Sequence, residues 1–167
     1  SDVTTNLGGK EGSLIAMSST EKNNVKQRLT KMIKDVDVTK IPQNKIQEML
    51  LEVGFSPREA RILAAVAMAE SRGDATIDTV KSGTDPNKEN EFSIGLFQIN
   101  MEDRYKEQRL KLFGISSIEE LYDPIVNVMA AKALYDERGG GENGLKAWSA
   151  YKNNSYKAFI PDRTPPG

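Results

Sequence analysis

Ser56-Pro57-Arg58-Glu59-Ala60-Arg61-Ile62-Leu63-Ala64-Ala65-Val66-Ala67-Met68-Ala69-Glu70-Ser71 reads as one helix with its start signal in place. Ser56 is an N-cap, Pro57 has the φ that the first helical position wants, and Glu59 completes a capping box. From Ile62 to Met68 the residues are apolar almost all round, so the spacing predicts a buried helix, the most buried of the fold. Its last turn delivers Glu70 into that apolar environment, and Gly73 releases the chain. A carboxyl group pressed against apolar side chains resists ionisation, so its pKa rises and it can act as a general acid near neutral pH.

Upstream, Val25, Leu29, Met32, Ile33 and Val36 recur at three- and four-residue spacing and predict a helix of about four turns over 20–36. Ile46, Met49, Leu50 and Val53 after Pro42 predict a second, short helix closed by Gly54. Residues 1–19 are rich in Gly, Ser and Thr and read as a flexible arm. Downstream, residues 73–93 form a polar, turn-rich excursion in which Thr76 to Val80 permits a small hairpin at most. Ile94-Gly95-Leu96-Phe97-Gln98-Ile99-Asn100 follows as a turn bearing amides, and Gln98 and Asn100 can cap a helix after it. Ser116 to Glu120 reads as a capped helical turn. Asp123-Pro124 opens a longer helix through Val126, Val128, Met129, Ala133, Leu134 and Tyr135, ended by Gly139-Gly140-Gly141, and a last helix carries Leu145, Trp148 and Tyr151. The chain is therefore predominantly α-helical.

Composition narrows the chemistry. The 167 residues include no histidine and no cysteine, which removes Ser-His-Asp triads, cysteine nucleophiles and His- or Cys-ligated zinc. Carboxylate, amide, hydroxyl and amine groups remain. Twenty-three basic residues against 24 acidic ones give no global electrostatic case for a nucleic-acid partner, although a local basic patch stays possible. No apolar run approaches the roughly 20 residues of a membrane span. Asp85, Asn87, Glu89 and Glu91 alternate like calcium-loop ligands, but Asn90 and Leu96 stand where such a loop needs Gly and Glu, so the expectation is a hydrated loop and no metal.

Glu70-Ser71, Gly95-Leu96-Phe97-Gln98-Ile99, Asp123-Pro124 with Asn127 and Ala131, and Ala150-Tyr151 together resemble the successive motifs of the soluble lytic transglycosylase and goose-type lysozyme family. Their order and spacing match over residues 55–158. The resemblance implies an α+β, mostly helical lysozyme-like fold over 20–160 with an N-terminal helical extension. It also implies cleavage of the β-1,4 bond between N-acetylmuramic acid and N-acetylglucosamine in peptidoglycan, without a cofactor. By the same resemblance Glu70 is the general acid and then the base. Ser71, Ser93, Gln98, Asn100 and Tyr151 are substrate-binding, with Tyr151 reaching back towards Glu70. Lys152-Asn153-Asn154 departs from the family's Asn, small residue and Gly.

Most glycosidases use two carboxylates. Asp74, Asp78, Asp85 and Glu91 lie in the excursion, yet none sits in a recognisable motif. A transglycosylase needs no second carboxylate, a muramidase on the same fold would use one to activate water, and a catalytically silent peptidoglycan-binding piece of a virion protein would use neither. The Trp148 to Lys152 segment resembles phage-encoded members, which implies a virion-associated, periplasmic or extracellular setting and contacts to other virion proteins through flanking segments. Residues 161–167 read as a Pro-rich tail or linker of a processed domain.

Overall fold

The computed structural model describes residues 14–79 and 92–161. Leu14–Ala16 form a 3-10 turn, followed by α1 (Ser19–Met32), α2 (Gln43–Glu52) and α3 (Pro57–Ser71). Strands β1 (Ser93–Ile94) and β2 (Ile99–Asn100) come next, then α4 (Asp103–Phe113) and a 3-10 turn, Ile118–Tyr122. α5 (Pro124–Glu137), α6 (Gly141–Leu145), α7 (Ser149–Lys152) and a 3-10 turn, Ser155–Phe159, complete the described chain. The two strands pair antiparallel with Ser93 opposite Asn100 and Ile94 opposite Ile99, and Asp78 bridges to Ile94 on the other side. The fold is the expected predominantly helical one, but the small hairpin forms across the Gly95–Gln98 turn; of the stretch expected to allow one, Thr76 to Val80, Asp78 contributes a single bridge. Among the described residues no helix is long and apolar enough to cross a membrane.

Each helix start predicted from capping residues forms. Ser56 and Glu59 exchange side-chain and backbone hydrogen bonds at 3.2 Å, and Asp123 Oδ1 accepts from Ile125 N at 2.9 Å. α1 ends at Met32, short of the expected 36, and lays Val25 and Leu29 on α2, which in turn packs along α3. α4, anticipated only as a helix after the Gln98 to Asn100 turn, has no fully buried residue.

Two expectations are corrected. The most buried helix is α5, with eleven of its fourteen residues inside against eight of fifteen in α3. The first turn of α3 carries charged Arg58 and Glu59 and its last turn opens at Met68 to Glu70, whereas in α5 even a lysine is buried. Lys132 is 4% exposed, sits near the rings of Phe55 and Tyr135, and pairs with Asp136 at 2.6 Å. The expected arm is docked from Leu14 onward. Leu14 and Met17 are buried, Leu14 N donates to Asp136 Oδ2 at 2.9 Å, and Ser18 caps α1. Residues 1–13 and 162–167 lie outside the described residues, as do Asp85, Asn87, Glu89 and Glu91.

The third correction concerns the end of the chain. The single helix expected over Leu145, Trp148 and Tyr151 is two short ones, because Trp148 is extended (φ −111°, ψ 129°) and serves as N-cap of α7. Its indole is buried and donates to Phe97 O at 3.0 Å, which holds the backbone out of helical register.

Candidate active site

Glu70 occupies the last turn of α3. The helix stops there because Arg72 takes a left-handed conformation (φ 58°), its N–H bonded to Met68 O at 2.9 Å, and Gly73 follows so close to the next chain that an added Cβ would lie 2.4 Å from Ile41 O. Burial among apolar neighbours pushes the Glu70 carboxyl up to about 7 from an ordinary 4.5, while the Ala150 N–H hydrogen bond pulls the other way. The negative end of the α3 dipole disfavours the carboxylate further. The acid is therefore protonated below neutrality, and its ionised form has one backbone donor waiting for it.

That donor exists because the helix breaks at Trp148. In a continuous helix from Gly141 to Lys152, Ala150 N–H would bond to the carbonyl four residues back. Since α7 starts at Ser149, the N–H of its first turn has no such partner and turns to Glu70.

The Gly95–Gln98 turn is held from three directions. Asn127, fully buried in α5, accepts from Phe97 N at 2.8 Å and donates to Ile94 O at 2.9 Å and Leu121 O at 2.8 Å. Trp148 bonds Phe97 O from α7, and Gly95 N donates to Ile77 O at 2.7 Å from the excursion. Only glycine fits at 95: φ is +76°, and a Cβ would lie 2.5 Å from Asn127 Nδ2 and 2.6 Å from Leu121 O.

Gln98 has a left-handed backbone (φ 47°), and its amide donates to Gly95 O at 2.9 Å and Ile77 O at 3.2 Å. This fixes the side chain and leaves Oε1 as an acceptor with no partner among the described residues. Asn100 Oδ1 accepts from Glu102 N at 3.0 Å, an Asx turn ahead of α4 and not a cap on its first turn, and Gln98 and Asn100 line the same polar cleft. Ser93 pairs with Asn100 and takes the Thr79 hydroxyl on its N–H at 2.7 Å.

Two residues stand differently from the expectation. Ser71 is 2% exposed and its hydroxyl is engaged internally, donating to Ala67 O at 3.0 Å and accepting from Gly73 N at 3.2 Å. It shapes the end of α3 instead of meeting substrate. Tyr151 stacks on Tyr156 and donates to Glu142 at 2.7 Å. The group of α7 that meets Glu70 is the Ala150 N–H. A backbone donor of this kind leaves no trace in residue identity, whereas Asn127 was discoverable as the one polar residue in the apolar first half of α5.

Of the candidate second carboxylates, Asp74 accepts from the N–H and hydroxyl of Thr76 at 2.9 and 2.7 Å, and buried Asp78 accepts from Tyr122 OH at 2.6 Å. Burial, with Asp78 adding to it, pushes Tyr122 up to about 12, so the phenol stays a donor. Among the described residues no cluster of three or more acidic side chains could hold a metal.

A buried carboxylic acid poised near neutrality, with a backbone donor for its conjugate base, has the protonation behaviour that general acid chemistry requires. A family model described as a lysozyme-like domain matches residues 47–150, more than half of the chain, and the chain belongs to that family. Peptidoglycan is thereby its substrate class, and it is a peptidoglycan-degrading enzyme in the broad sense. The match runs from α2 to the Ala150 that faces Glu70, leaving α1 outside it. Neither the curated proteins nor the solved structures returned a match.

Proposed function

We propose that the protein is a lytic transglycosylase that cuts the bond between N-acetylmuramic acid and N-acetylglucosamine and leaves 1,6-anhydro-muramic ends. The observation that carries this reading is that the Glu70 carboxyl is raised to about 7 while, among the described residues, both candidates for a water-activating partner are engaged, Asp74 by Thr76 and Asp78 by Tyr122.

Protonated Glu70 gives its proton to the bridging oxygen, and the bond from that oxygen to the muramic C1 breaks. The acetamido carbonyl of the same sugar stabilises the positive charge at C1. Glu70, now a carboxylate facing Ala150 N–H, takes the proton of the C6 hydroxyl, and O6 closes on C1. No water enters, and Glu70 ends protonated as it began. The resemblance of the Trp148 to Lys152 segment to phage-encoded members supports a virion-associated setting in which the enzyme opens the wall.

The test is mass spectrometry of a peptidoglycan digest. Main products lighter by one water than hydrolysis products and resistant to borohydride support the reading. Reducible muramic ends as the main product overturn it in favour of a muramidase, with Asp74, Asp78, Asp85 and Glu91 to be replaced one at a time.

A further inference from the structure

Beside the Gly95–Gln98 turn a polar cleft of about 220 Å³ opens between β2, α4, the end of α5 and α7. Arg109, Arg138, Lys146 and Lys152 all line it. None of the four makes an ion pair with a carboxylate among the described residues. The chain as a whole carries a net charge of −1, so this concentration is local. With no carboxylate in direct ion-pair contact, and only Glu137 and Glu102 acting on Arg109 from further off, an anion entering the cleft relieves the repulsion among the cations.

The cations are also positioned. Arg109 is half-buried, lies over the Tyr105 ring at 4.2 Å, and donates from Nη1 to Asn100 O at 2.7 Å, leaving its remaining N–H groups without a protein partner. Arg138 Nε is tied to Asn143 O at 2.7 Å. Burial depresses the Arg109 pKa and Arg138 pushes the same way, against the opposing pull of Tyr105, Glu137 and Glu102. Glu137, the nearby acid, accepts from Gln108 at 3.5 Å. A guanidinium fixed at one edge and open at the others suits the two oxygens of a carboxylate.

We propose that this cleft is a carboxylate-binding subsite that grips the acidic groups of a peptidoglycan strand while Glu70 cleaves it. The proposal rests on the glycan-cleaving reading above. Its location supports it: Gln98 and Trp148 border both the cleft and the turn of the acid site, and Lys152 belongs to the same short helix whose Ala150 N–H faces Glu70. Lys152 is also the residue at which the chain departs from the family motif. The carboxylate comes from the stem peptide or from the lactyl group of a muramic acid without one.

The experiment measures binding of three strand preparations to the Glu70→Gln protein: strands with intact acidic stem peptides, the same strands with carboxyls amidated, and amidase-stripped strands bearing only lactyl carboxylates. Amidation should weaken binding about tenfold or more, the scale of a charge-assisted contact. Replacing the three exposed cations together (Arg138→Gln, Lys146→Gln, Lys152→Gln) should weaken binding of acidic strands to a similar degree and make amidation immaterial, whereas Lys146→Arg with Lys152→Arg should keep the preference. Stripped strands that bind like acidic ones show that the subsite also grips a free lactyl carboxylate, and stripped strands that bind like amidated ones restrict it to the stem peptide. Equal binding of acidic and amidated strands, or a preference that survives loss of the three cations, overturns the subsite. Failure of the glycan-cleaving reading is separate: it appears as the absence of Glu70-dependent products from every strand type.

Discussion

Replacing Glu70 with Gln removes the ionisable proton while keeping the shape and an oxygen for Ala150 N–H. The wild-type carboxyl titrates near 7 in the fold and near 4.5 when unfolded. Between those values the unfolded chain has released the proton and the native chain still holds it, so stability falls as pH rises from 4.5 and levels off above 7. At 1.36 kcal/mol per pKa unit the ceiling of this cost is about 3 kcal/mol. Because Glu70 is half-buried and solvent screens part of its field, about 1–3 kcal/mol is the working range. For a chain of this size that corresponds to a melting temperature about 3–10 °C higher for Glu70→Gln at about pH 8, with no difference at about pH 4. Thermal melts of both proteins across that range read the difference curve directly, and wall lysis by the variant should be lower by about 10²–10⁴. A gap that does not change with pH, or a variant less stable than wild type above neutrality, would refute the argument and make Glu70 a structural residue.

On the wild-type enzyme, kcat/KM should fall about tenfold per pH unit above about 7, because only the protonated acid can start the reaction; a flat alkaline limb to about pH 9 would contradict it. Asn127→Leu strands Phe97 N–H and Leu121 O without their partner, removes one of the bonds to Ile94 O, and should cost about 3 kcal/mol in urea unfolding, with lysis falling even where the protein remains folded. Leu14→Ala should cost about 2–4 kcal/mol by the same measurement, since the residue is 4% exposed and packed in the core; a neutral result would return residues 14–19 to the status of an arm.

Helix starts were legible because capping is local: Ser56 with Glu59, and Asp123 before Pro124, state their geometry within four residues. Glu70 was legible for a related reason, since an apolar run ending in an acid fixes the environment of that acid. The docking of Leu14 and Met17 was hidden because it depends on Asp136, which lies 122 positions away from its partner Leu14. Ser71 shows the opposite failure. Its identity fits a binding role, but the sharp exit from α3 needs its hydroxyl for Ala67 O and Gly73 N, a demand visible only once the helix end is placed.

The break at Trp148 joins fold to chemistry, and it explains why the site could not be read whole. Helical spacing favours one continuous element through Leu145, Trp148 and Tyr151. The tertiary alternative gives up some intrahelical hydrogen bonds and gains the indole bond to Phe97 O together with burial of the ring against Phe97 at 5.6 Å. The same break frees Ala150 N–H for Glu70. Burial alone would favour the protonated acid and make its conjugate base costly; in the proposed mechanism Glu70 would then start the reaction but be poorly stabilised as the base that finishes it. The backbone donor offsets part of that cost without adding a charge that would suppress the acid form. A helix that ran on through 148 would leave Glu70 more strongly shifted upward and without a partner once ionised. The residue that interrupts the helix thus serves both the turn at 95–98 and the proton cycle of the acid, though its side chain bonds only to the turn.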